Sequence, residues 1–99
     1  MTHHLSRHSG LDVAIEIASA IAHPPNTSVT LVKGDAGHNA AIVARYQAAV
    51  AALDTAGALY GDCNGDLSAP VFLRLSARRD ALRRCLYALR DRAASAEYA

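Results

Sequence analysis

Five histidines, two cysteines and nine acidic residues are the groups from which this 99-residue sequence could build a metal site or a catalytic pair. His4 and His8 stand four apart with His3 adjacent, a spacing that on a helix sets two imidazoles side by side for a transition metal. A closed shell needs more ligands than these. A solvated terminal cluster within residues 1–9 is the simpler reading. His23 before Pro24-Pro25 and His38 inside a glycine turn read as loop residues. Cys63 has acids for neighbours, which would raise its thiol pKa, and Cys85 falls on an apolar stripe, so neither is a credible nucleophile. Asp12 and Glu16 stand four apart as two helix carboxylates with no partner for acid/base work. Asp62-x-Asn64-x-Asp66 opens like a calcium loop, but Leu67 replaces the turn glycine and Leu73 the closing acid. No catalytic residue, metal or cofactor is expected.

Two features point to binding. Lys33-Gly-Asp-Ala-Gly-His-Asn39 delivers an extended segment into a helix, where free first-turn amides, Lys33 and His38 could face a phosphate or carboxylate. Lys33 precedes the glycines and no Gly-Lys-Ser or Gly-Lys-Thr follows, so this is not a nucleotide-binding P-loop. A helix start with Asp35 or Asn39 as its cap is the plainer reading. The second feature is arginine: Arg74, Arg78, Arg79, Arg83, Arg84, Arg90 and Arg92 oppose only Asp80 and Asp91 across residues 68–92. Guanidinium groups suit planar recognition of carboxylates and phosphates. Spread at 100° per residue, they form no single stripe that could track a nucleic-acid groove, and aromatic stacking platforms are missing. The expected contact residues are therefore Lys33, His38, Arg78, Arg79 and Arg83.

Three helices must position these groups. Leu11, Ala14, Ile15, Ala18, Ile21 and Ala22 recur at three- and four-residue spacing behind a Ser9 cap, and Val13 and Ile17 widen the stripe until Pro24-Pro25 stops it. This predicts a helix over 10–22, buried on more than one side. In Asn26 to Lys33, Thr27, Val29, Thr30, Leu31 and Val32 are β-branched or aliphatic, which predicts an extended segment that either lies on the bundle or pairs with another copy of the chain. After the glycine turn, Ile42, Tyr46, Ala49, Val50, Leu53, Ala56 and Tyr60 trace one face of a helix over 40–60. Residues 61–66 read as a loop with an Asn-Gly turn. A third helix over 69–92 follows, with Val71, Leu75, Leu82, Cys85, Leu86 and Leu89 as its core stripe. The fold class is mainly all-α: a small three-helix bundle over residues 10–99, with a short extended segment between its first two helices.

Composition bounds the rest. With 52% hydrophobic residues and a net charge of +1, the chain is too apolar for a disordered tail and lacks the positive field of a non-specific nucleic-acid binder. Alanine fills 22 positions, and the basic residues are nine arginines against Lys33 alone. That bias fits a high-GC coding sequence from a bacterium or phage. No run approaches a membrane span, and Asp12 and Glu16 interrupt any signal-peptide core, so a cytoplasmic protein with reduced thiols is expected. Subtraction leaves a non-enzymatic protein-binding or regulatory module, such as a phage or mobile-element inhibitor or adaptor that meets an acidic partner surface. Helix two, alanine-rich on more than one face around Ala48 and Ala52, suggests a homodimer or higher homo-oligomer. The alternatives are a binder of a phosphate-bearing ligand such as a nucleotide, and a nucleic-acid binder using helix three.

Overall fold

A computed structural model describes residues 7–64 and 70–98, excepting the side chains of 7–9 and 60–64. It is a three-helix bundle: α1 (Arg7–Ala22), α2 (Ala36–Asn64) and α3 (Pro70–Ala93), with no strand among the described residues. Asp12 lies beside Arg74 and Ser19 beside Arg78, so α1 and α3 run parallel. Asp54 lies beside Arg83 and Gly57 beside Leu75, so α2 runs antiparallel to α3. Between them sits a core of Leu11, Ala18 and Ala22 from α1, Ile42, Tyr46, Ala49, Val50, Leu53 and Ala56 from α2, and Val71, Phe72, Leu75, Leu82 and Leu86 from α3.

The expected face of α2 is thus the buried one. The flanks of the other two stripes are not. Val13 and Ile17 are 49% and 53% exposed. They lie on the side of α1 that neither neighbour reaches, so burial on more than one side does not occur in the single chain. Cys85, expected in the core, is an exposed free thiol. It stands one residue before Leu86, about 100° around the helix, which carries it past the edge of the core stripe. Phe72 takes a core position instead.

Each helix begins earlier than expected or runs further. Ser9 lies within α1, which starts at Arg7, so it is not the cap. α2 starts at Ala36 because Asp35 is its cap: the Asp35 carboxylate accepts the His38 amide at 3.1 Å, the third position of the helix. Gly34, at φ 78°, makes that start possible by closing a β-turn in which the Asp35 amide donates to the Val32 carbonyl at 3.1 Å. At its other end α2 continues to Asn64, so residues 61–64 are helical rather than loop. Of the calcium-loop-like oxygen ligands, Asp62 and Asn64 fall in that last turn, and Asp66 lies outside the described residues. His3 and His4 lie outside them too.

At about 1.5 Å per residue, α1 covers roughly 24 Å of a helix of roughly 43 Å. The leg from Pro24 to Gly34 covers the remainder. It turns out of α1 through Asn26, which holds a left-handed φ of 59°, and then buries Leu31 against the core. Arg45 ties it down by donating to the Ser28 carbonyl at 3.2 Å. This segment lies on the bundle, the first of the two arrangements its sequence allows. Its ladder partner is a side chain. Asn39, 1% exposed, accepts the Val32 amide at 2.7 Å and donates to the Val32 carbonyl at 2.8 Å, pairing both backbone groups as a neighbouring strand would.

One consequence concerns Gly57, inside α2, where an added Cβ would meet only Leu75 Cδ2 at an ordinary 3.6 Å. Helical glycine costs about 1 kcal/mol relative to alanine. Gly57→Ala is therefore expected to stabilise the fold by about that amount, read as a higher urea midpoint at unchanged slope. A lower midpoint would mean that the α2/α3 contact cannot give by even a methyl group.

Candidate functional site

The expected contact residues divide between two regions. Lys33 pairs with Glu97 at 2.6 Å, and the His38 ring meets the Thr30 carbonyl through Nε2 at 2.9 Å. The anion that the first turn of α2 binds is the chain's own Asp35. Eighteen residues further along α2, about 27 Å away, Asp54 faces the arginines of α3. There Arg83 lies 3.3 Å and Arg79 3.7 Å from Asp54, and Asp80 touches Arg79 at 3.4 Å and Arg83 at 3.9 Å. Two cations and two anions form a closed network, all within the chain. Such partly exposed pairs contribute about 0 to 1 kcal/mol each, and they leave Arg79 and Arg83 little charge to offer a partner.

Arg78 differs. It is half-buried, and both Nε and an Nη donate to the Ser19 hydroxyl, at 3.3 and 3.0 Å. Among the described residues no carboxylate pairs with it. It lines a groove of about 510 Å³ between α1 and α3, together with Ile15, Ala77 and Ala81 as an apolar floor and the Asp12–Arg74 pair, 2.7 Å apart, at the far end. Since Asp12 and Arg74 cancel, the lining carries the net positive charge of Arg78 alone. The sequence offers one signal for Ser19, its four-residue step to His23, whose amide donates to the Ser19 carbonyl at 2.9 Å just past the end of α1.

Further along this seam, the Tyr46 hydroxyl lies 3.1 Å from His23 Nε2, the two rings meeting edge to face with centroids 5.2 Å apart. His23 is thus not a bare loop residue, because it caps the buried phenol. Burial pushes the Tyr46 phenol above its ordinary value; Cys85 adds to the push, and the guanidiniums of Arg78 and Arg45 oppose it. A raised phenol holds its proton more tightly in the folded chain than in the unfolded one. Stability is therefore intact below the unfolded value of about 10 and is lost as pH climbs through the folded value. Urea unfolding from about pH 9 to 11 is expected to weaken the wild type more steeply than Tyr46→Phe, which has no proton to lose. Parallel profiles would show that burial leaves this phenol unperturbed.

A second groove, of about 310 Å³, runs between the start of α2 and the end of α3, lined largely by alanines and by Val43 and Arg90. The Arg90 guanidinium lies 5.2 Å from the centre of the Tyr87 ring. Among the described residues, no cluster of histidine, cysteine and acidic side chains could hold a metal ion, and no helix is long and apolar enough to cross a membrane. Compared with known protein families, with curated proteins and with solved structures, the chain matches none.

Proposed function

We propose that this protein is a non-enzymatic protein-binding module of the cytoplasm that works as a dimer, two copies meeting through the outer flank of α1. The observation that carries this reading is the pair Val13 and Ile17, one helical turn apart and each about half exposed at 49% and 53%. Ala20, exposed, and Ile21, half-buried, continue the stripe, and exposed Glu16 borders it. This three- and four-residue spacing is the seam that a second helix packs against.

Magnitudes favour this flank over the alanine face of α2. Ala48 is exposed and Ala52 half-buried. An alanine methyl returns less than about 1 kcal/mol on burial, whereas the exposed half of Val13 or of Ile17 returns about 0.8 to 1.5 kcal/mol. Sedimentation of the wild type at micromolar concentration is expected to give twice the 10.4 kDa of one chain. Ile17→Glu should give a monomer of unchanged helicity, and Ala48→Glu should leave the dimer intact. A wild type that sediments as a monomer ends the dimer reading, and a dimer lost in Ala48→Glu alone moves the interface to α2. On this reading its role is regulatory, as an inhibitor or adaptor acting through that surface.

A further inference from the structure

We propose that the groove between α1 and α3 is a binding site for a small oxyanion, a carboxylate or phosphate monoester carried on a short apolar chain, with Arg78 as its anchor. The groove lies on the opposite flank of α1 from Val13 and Ile17, so this inference stands independently of the dimer.

The argument begins with the state of Arg78. Arg74, Arg79 and Arg83 on the same helix each touch a carboxylate. Arg78 is half-buried, and its only polar contact among the described residues is the neutral hydroxyl of Ser19. Removing a guanidinium from water against a hydroxyl alone recovers little of its lost hydration, and an ionised acceptor recovers more. Nε and an Nη converge on that one oxygen. This is the edge with which arginine grips two oxygens of a carboxylate or phosphate. An incoming oxyanion takes both donors, and the Ser19 hydroxyl, released from accepting, turns its own proton toward the bound oxygen.

The surroundings set the rest of the ligand. Ile15 and Ala81, half-buried, and Ala77 floor the groove beside Arg78. They offer no hydrogen bond, so the body of the ligand is apolar. The Asp12–Arg74 pair closes the far end. A Coulomb gradient therefore runs toward Arg78, and a free Asp12 would repel the same anion if Arg74 were removed.

The test uses the whole chain with hexanoate, hexyl phosphate and inorganic phosphate, following the side-chain Nε–H resonances of arginine by NMR. Hexanoate or hexyl phosphate is expected to shift the Arg78 signal saturably, and whichever binds more tightly names the headgroup. Inorganic phosphate, which lacks the apolar body, should bind about tenfold more weakly. Arg78→Gln should weaken binding about tenfold or more, and Arg78→Lys, which keeps the charge without the fork, by several-fold. Arg84→Gln, an exposed charge on the same helix, should change nothing. The Lys variant carries the test if the Gln variant loses helicity. No saturable shift at Arg78 with either amphiphile, or equal losses in the Arg78 and Arg84 variants, would overturn the site.

Discussion

Asn39→Ala is expected to cost about 2 to 4 kcal/mol, a large share of the 5 to 15 kcal/mol that holds a domain of this kind together. Asn39 is 1% exposed, and its amide serves three backbone groups: the Val32 amide, the Val32 carbonyl and, at 3.1 Å, the Tyr98 carbonyl. Alanine leaves all three without their side-chain partner, although the Val32 carbonyl keeps its bond from Asp35. The loss should reach beyond the site. Asn39 joins the leg that covers the upper half of α2 to the turn after α3, assisted by the exposed Lys33–Glu97 pair. Hydrogen exchange in Asn39→Ala should therefore speed up together at Val32 and across residues 95–98. Asn39→Asp sharpens the test. It keeps the acceptor for the Val32 amide but turns a carboxylate oxygen toward two carbonyls, a burden that protonation relieves. Relative to wild type at the same pH, it should be worse than alanine at neutral pH and recover as pH falls, the recovery being complete near the unfolded carboxyl value of about 4. A cost under about 0.5 kcal/mol for Asn39→Ala would mean that water replaces the amide without loss.

Leu53→Ala is expected to be as damaging, at about 3 to 5 kcal/mol. Leu53 is fully buried near the middle of α2, in the core shared by all three helices. The price of a cavity depends on how far its walls can collapse. Here the walls are tethered: α3 to α2 through Arg79, Arg83 and Asp54, and α3 to α1 through Asp12–Arg74 and Ser19–Arg78. The cost should accordingly fall in the upper part of the usual range. Chemical unfolding should show a reduced midpoint with an unchanged slope. A shallow, non-cooperative transition would show instead that the helices separate piecewise. Leu59→Ala, at a side chain 60% exposed on the same helix, is the matched control and should cost little.

The two expectations differ in how legible they were. The role of Leu53 follows from periodicity alone, because Ile42, Tyr46, Ala49, Val50, Leu53 and Ala56 share one face whatever covers it. The role of Asn39 does not. Asp35 and Asn39 are both cap-forming residues four positions apart, and either suits a helix start. Gly34 and the Val32 turn put Asp35 at the cap, which leaves Asn39 one turn inside the helix. Its remaining partner, the Tyr98 carbonyl, is 59 residues away in sequence. No local pattern announces that contact.

The candidate site shows the same division. The arginine excess on α3 is plain in composition, and its spacing excludes a single stripe. Which guanidinium stays uncommitted depends on what the neighbouring helices present: Asp54 takes up Arg79 and Arg83, Asp12 takes up Arg74, and Ser19 offers Arg78 only a hydroxyl. Lys33 and His38 sit at a helix start of the kind that attracts anions, but Asp35 fills that place from within the chain.

By itself, the sequence determined three helices, their order and their core faces, because 3.6-residue periodicity and the interruptions at Pro24-Pro25 and Gly34 act within a few residues. Only the tertiary structure decided which flanks remain bare and which charges remain open. Val13, Ile17 and Cys85 lie at stripe edges, where exposure depends on the length and placement of the neighbouring helix, and α1 is about half as long as α2. A charge is satisfied by whatever lies within a few ångströms in space, and that is set by packing between elements far apart along the chain.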